Sequence, residues 1–199
     1  MKIFWTVLLA FVLWFVTFGL PIGNFWVRIS GSAAILAALA LILTKDKRKL
    51  FKWTLKYALI GVLSAGVLYF VFWAGKAFSS LLPFVENQIG SLYSHRGTNP
   101  LWLIGVFLFF ITGPCEEIYW RGFLQRELMA RLGQNRGWFL ASFIYSFVHI
   151  WTLNVMLMVA AWIAGLFWGW IYKQTHSLWP SMISHALWGL LIFVFFPLL

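Results

Sequence analysis

The sequence predicts an all-α protein, a polytopic transmembrane bundle of about seven helices, six to eight at the limits. Three observations predict it. Hydrophobic residues make up 62% of the 199, charged residues only 10%, and the apolar residues gather in runs long enough to cross a bilayer. Soluble domains carry about 25% charge, so the second number alone excludes an ordinary soluble fold.

Apolar runs of about 17 to 25 residues lie near 4 to 21, 26 to 43, 54 to 73, 101 to 118, 138 to 152, 154 to 172 and 178 to 196. At about 20 residues per span they use most of the chain, so residues 1–199 are expected to form one integral membrane domain. The first run follows Met1 and Lys2. Because LPIGNFWVRIS offers no convincing small-residue cleavage site, it reads as a retained helix and not a signal peptide.

The first three runs hold mainly Leu, Val, Phe, Trp and Ala, and residues 1–100 are therefore expected to be scaffold helices and a polar loop. That loop is SSLLPFVENQIGSLYSHRGTNP, residues 79 to 100. Its LLPFVENQIGSLY portion has the pattern of an interfacial helix, and His95 reads as a solvated loop residue.

The net charge of +10 would point to nucleic acid in a soluble protein. Here the basic residues are grouped by connection, which is the positive-inside pattern, and no nucleic-acid partner is expected. Lys45, Lys47, Arg48, Lys49, Lys52 and Lys56 follow the second run; Arg121, Arg126, Arg131 and Arg136 follow the fourth; Lys173 follows the sixth. This orientation puts the N-terminus in the cytoplasm and the C-terminus outside, in a cell membrane. The bilayer itself is the expected partner of these clusters.

From residue 101 onward each apolar run carries polar or ionisable groups, which are costly in lipid and face a bundle interior or a wet cavity. The fourth run ends in GPCEEIYWRGFLQREL, residues 113 to 128, holding Glu116, Glu117 and Glu127 of the five acidic residues in the chain. Glu117 and Arg121 are four apart and share a helix face, so they can pair. Glu116 is turned by about 100 degrees, onto the face of Thr112, Gly113, Trp120 and Phe123. The two glutamates therefore suit different tasks: Glu117 a structural ion pair, Glu116 proton exchange in a cavity. A snorkelling cluster at the head groups is the competing reading.

Cys115 is the lone cysteine, which excludes an intramolecular disulfide and a cysteine-rich metal site and reads as packing. In the next run Ser142, Tyr145, Ser146 and His149 recur at i, i+3, i+4 and i+7, one polar stripe ending in a histidine. Ala161, Gly165 and Gly169 form a small-residue row for close helix packing. The last run places Pro180 in a first turn and His185 on the face of Ser181 and Gly189. Counting rise from the basic ends puts His185 at a depth of about 12 Å and His149 at about 18 Å. A shared cavity from the basic half to the midplane is allowed, with His149 the most distant member.

These residues resemble the signature of the CAAX protease and bacteriocin-processing (CPBP, or Abi) family of glutamic intramembrane proteases: EExxxR, then FxxxH, then HxxxN or HxxxD. CEEIYWRG carries the first in full; YSFVH carries the second with Tyr145 for Phe; HALWG carries the third with Gly189 for Asn or Asp. GLFWGWIYKQTHSLWPSMISHAL is also similar to the family's run into its last histidine, and the likeness covers residues 101 to 196.

The resemblance implies a protease that needs no metal or other cofactor and acts on a peptide or membrane-protein substrate. Glu116, assisted by His149, would activate water; His185 would help stabilise the oxyanion; Glu117 and Arg121 would orient the site. Gly189 removes the side chain that would be the second oxyanion donor, and losing one such donor costs about 10² to 10³ in rate. A water, Ser181, Ser184 or the Trp188 N–H are the candidate substitutes.

Three other readings compete. Two Glu and two His suit a zinc site, although no HExxH is present. A non-catalytic scaffold or bacteriocin-immunity protein would explain Gly189. A proton-coupled transporter would also use Glu and His, but broken helices in repeated halves are lacking. The sequence leaves the substrate, the oligomeric state and any lipid modification of the substrate undetermined.

Overall fold

The computed structural model describes residues 1–79, 82–97 and 99–198, and among them contains eight helices and no strand. In chain order they are α1 (Lys2–Gly19), α2 (Phe25–Leu43), α3 (Leu55–Ser79), α4 (Val85–Ser94), α5 (Leu101–Leu132), α6 (Gln134–Phe147), α7 (Val155–Thr175) and α8 (Trp179–Phe195). Five of them, α1, α2, α3, α5 and α7, are long and apolar enough to cross a membrane. α8 is a shorter apolar helix, and α6 runs on through a tight turn at Val148–Thr152.

Exposed Phe4, Trp5, Leu59, Leu63, Phe70 and Phe78 give the bundle an apolar outer surface. In water such a surface would aggregate; in lipid it is the required one. The chain is a multi-pass membrane protein. The interior is aromatic, with Trp14, Tyr119, Trp120 and Tyr145 packed around Leu36 and Leu124.

α4 occupies the stretch expected to be interfacial, and at ten residues it is too short to span. Leu81, at the start of that stretch, lies outside the described residues. His95 is not a solvated loop residue: its ring stacks on Phe25 at 4.1 Å, and its carbonyl accepts from the Trp26 indole at 3.0 Å. Burial and the nearby Arg28 charge push its pKa below the usual histidine value.

α5 differs most from expectation. The sequence suggested a span ending near 118 with Arg121 in a basic connection; the helix continues to Leu132 and stops only at Gly133, whose φ of +83° suits glycine. Arg121 is 2% exposed and sits mid-helix, so the charged residues did not mark an end. At 1.5 Å per residue Glu116 lies about 22 Å from Leu101 and about 24 Å from Leu132. Pro114 lacks an N–H and cannot close a regular turn, and wide i to i+5 turns occur on both sides of it, at Phe107–Thr112 and Ile118–Gln125.

Two glycines let the helices approach. A Cβ on Gly113 would sit 3.1 Å from the Ala186 nitrogen, so α8 lies directly on α5 beside the glutamates. A Cβ on Gly165 would meet Tyr145 at 3.1 Å, which brings α7 against α6. The expected small-residue row on α7 therefore does pack closely.

The two ends of the bundle are distinct. At the basic end, the Arg126 guanidinium donates to the Lys45 carbonyl, Ser177 donates to Lys52, and Trp179 donates to Phe51. At the opposite end α4 is tied down by Asn154, whose amide donates to Gln88 and Ser91, and by the Tyr93 hydroxyl, which accepts from the Leu198 amide.

Candidate active site

Glu117 and Arg121 lie one turn apart on α5 and form a buried pair, Nη1 to Oε1 2.9 Å. The same Oε1 accepts from His185 Nδ1 of α8, also at 2.9 Å. A carboxylate oxygen only accepts, so Nδ1 of His185 carries the hydrogen. Its Nε2 has no protein partner among the described residues. The His185 ring lies flat on Trp168, 3.9 Å between centroids, which fixes its plane.

Arg121 is held on three further sides. It donates to the Gly165 carbonyl at 3.4 Å and stands over the rings of Tyr145 at 4.7 Å and Trp168 at 5.5 Å. One turn on, Gln125 donates to the Gly169 carbonyl at 2.8 Å. The glycine row thus also exposes backbone carbonyls that neutralise buried donors on α5, a role the sequence reading left out.

Glu116 is 4% exposed and has one oxygen, Oε2, with no hydrogen-bond partner. It lines a cavity of about 360 Å³ together with Thr112, Tyr145, His149, His185 and Gly189. The sequence-expected residues thus divide: Glu116, His149 and His185 share this wall, whereas Glu117 and Arg121 lie behind it. Tyr145 shares the cavity wall with Glu116, and its ring lies under the Arg121 guanidinium.

The polar stripe on α6 splits in the fold. Ser142 donates to the Trp138 carbonyl and Ser146 to the Met158 carbonyl, as membrane hydroxyls do to satisfy themselves. Only Tyr145 and His149 reach the cavity. Cys115 is half-buried and is absent from the lining.

Both nitrogens of His149 are engaged. The Trp14 indole donates to Nε2 at 3.2 Å, and Nδ1 faces the Tyr145 carbonyl at 2.8 Å. Because a carbonyl cannot donate, Nδ1 holds the hydrogen and Nε2 the lone pair. His149 in this state is a neutral ring clamped from two sides. Trp14 belongs to α1, where nothing in an apolar, tryptophan-rich run distinguishes it from a lipid-facing aromatic.

The cavity extends away from the basic end. Its other walls are Phe18 and Phe25, Phe72 and Gly75 of α3, Leu92 and Tyr93 of α4, and Phe193 of α8. The sequence allows a cavity from the basic half to the midplane; the cavity runs instead from the level of Glu116 toward the α4 end. On the basic side α5 continues past Arg121 to Leu132, with Phe123, Leu124 and Leu128 buried.

Around Gly189, the Ser181 hydroxyl donates to the Leu178 carbonyl, Ser184 accepts from the Trp168 indole, and neither serine is in the cavity lining. The Trp188 indole nitrogen, in contrast, is buried and unpartnered. A Cβ on Gly189 would meet Leu108 atoms at 3.6 to 3.8 Å, ordinary contact, so a Cβ is accommodated there.

Residues 98–191 match the family model described as Rce1-like, type II CAAX prenyl endopeptidase Rce1-like. No curated protein and no solved structure matches the chain.

Proposed function

Residues 98–191 belong to the Rce1-like CAAX prenyl endopeptidase family, the CPBP family, and on that premise we propose that the protein is a glutamic intramembrane endopeptidase. The observation that carries the reading is Glu116: a buried carboxylate in the wall of a cavity shared with two histidines.

In this mechanism the Glu116 carboxylate takes a proton from water as the water oxygen attacks a peptide carbonyl. The oxyanion that forms is stabilised by His185 in its doubly protonated form, in which Nε2–H donates to the oxyanion while Nδ1–H donates to Glu117. Glu116 then passes its proton to the leaving amine as the C–N bond breaks. Tyr145, on the same cavity wall, positions the carboxylate. The Trp188 N–H supplies the second oxyanion donor that Gly189 lacks, since Trp188 lines the cavity with its indole nitrogen unpartnered, whereas Ser181 and Ser184 do not line it.

The substrate is an apolar peptide segment associated with the membrane, matching the aromatic and aliphatic cavity walls. This reading treats residues 1–199 as one integral membrane domain in a cell membrane. The basic loops face the cytoplasm, so the cavity loads from the other side. With Cys115→Ala as background, a cysteine at exposed Glu86 should react with an impermeant maleimide in intact cells; labelling only after permeabilisation reverses the orientation.

The activity is tested by comparing protein termini, by mass spectrometry, in host membranes carrying the wild type or Glu116→Ala at matched expression. New termini confined to the wild type establish proteolysis and name the substrate. Identical sets, with a cellular phenotype retained by Glu116→Gln, favour the second reading, a non-catalytic scaffold or immunity protein, for which Gly189 is the specific observation. Metal content of the two purified proteins tests the zinc alternative: metal lost with Glu116→Ala would replace the metal-free chemistry.

A further inference from the structure

We infer that α1 is part of the site: Trp14 is a positioning residue that holds the lone pair of His149 Nε2, clamping this ring against the cavity wall. The inference rests on the proteolytic reading only for its effect on turnover; the clamp itself stands on geometry.

Three observations carry it. Trp14 is fully buried, so its indole N–H has no water to bond and must find a protein acceptor. The acceptor it finds, at 3.2 Å, is the one nitrogen of His149 that the Tyr145 carbonyl leaves with a lone pair. The indole is itself fixed, edge-on to Trp120 at 5.6 Å and to the imidazole at 5.9 Å, and α1 is fastened nearby by Trp151, which donates to the Phe11 carbonyl at 3.0 Å. Trp14 also lies far outside residues 98–191, so the family motif does not include it.

The consequence for the chemistry is a division of labour. With Nε2 held, His149 accepts no proton from water unless the indole lets go, and Glu116 is left as the base with an unpaired oxygen. His149 then serves as a fixed, neutral part of the wall beside Tyr145 and Glu116. Releasing it would free the ring to turn about its side-chain bonds and disturb that wall.

The test is nitrogen NMR of the detergent-purified full chain with ring-labelled histidine, in which four histidines report separately. In the wild type, His149 should show a protonated Nδ1 and a hydrogen-bonded, unprotonated Nε2. In Trp14→Phe that Nε2 signal should move to the position of a free lone pair, while the His185 signals, set by Glu117, stay in place and certify the fold. A proton on Nε2 in the wild type overturns the inference whatever the variant does, and so does an unmoved Nε2 signal in a folded Trp14→Phe.

Turnover supplies the second arm, using a quenched-fluorescence peptide spanning the cleavage site identified from the membrane termini. Trp14→Phe should lower kcat about 3- to 10-fold, the scale of one lost hydrogen bond, with KM unchanged. It should have no further effect in a His149→Ala background. Equal losses in both backgrounds mean packing alone and overturn the positioning role. If the wild type cleaves nothing, the proteolytic reading fails while the NMR result still decides the clamp.

Discussion

Oε1 of Glu117 accepts at 2.9 Å from both Arg121 and His185, joining α5 to α8 through one oxygen. Glu117 is fully buried and Arg121 nearly so, and removing one partner of such a pair leaves a charge in low dielectric. Glu117→Gln should cost about 3 to 5 kcal/mol of stability and abolish proteolysis. Thermal denaturation in detergent checks it; an unchanged midpoint would show that the pair does not hold the helices together.

Glu116 should behave in the opposite way. Its Oε2 has no partner, so Glu116→Gln removes a buried charge without breaking a hydrogen bond to that atom. The variant is expected to be as stable as the wild type or more so, yet to lose at least about 10² in cleavage rate. Parallel measurement of melting and peptide cleavage decides. Retained cleavage would remove Glu116 from the base role.

Gly189 makes a gain of function available. The site accepts a Cβ without crowding, so Gly189→Asn should fold normally and add an oxyanion donor. The expected outcome is a rise in kcat, up to about 10², while Trp188→Phe lowers it in the parent. The two changes should compensate when combined. A faster Gly189→Asn with an inert Trp188→Phe would mean that water fills the position instead.

His95, at the α4 end of the cavity, has its pKa lowered first by burial and then by Arg28. The fold therefore binds fewer protons at this residue than the unfolded chain does, and stability falls as pH drops below about 6.5. His95→Phe keeps the stacking on Phe25 and removes the titration. Melting points at pH 7.5 and 5.5 should differ less in this variant; an equal difference would assign the slope to another group.

The helical class was legible because lipid demands long apolar runs, and five helices have them outright. The Glu117–Arg121 pair was legible because i, i+4 neighbours must share a face. The link from Glu117 to His185 was not, since 68 positions separate them and it depends on the close approach of α8 to α5, as at Gly113. The end of α5 was misplaced for a related reason. Charge density marks the edge of a membrane only where the charges are exposed, and Arg121 is neutralised in the interior by Glu117 and a glycine carbonyl. His95 was misjudged because a stacking partner on another helix leaves no trace in local composition.

Sequence similarity draws its boundary at residue 98, but the cavity is not cut there. Phe18, Phe25 and Phe72 line it, and Ser30 of α2 bonds to Thr112 beside Glu116. A minimal enzyme made by excising residues 98–191 would keep every motif glutamate and histidine and lose a side of the vessel that holds them. Chimeras between relatives should accordingly be joined so that α1, α2 and α3 travel with their own motif helices, because those helices set the shape into which a substrate has to fit.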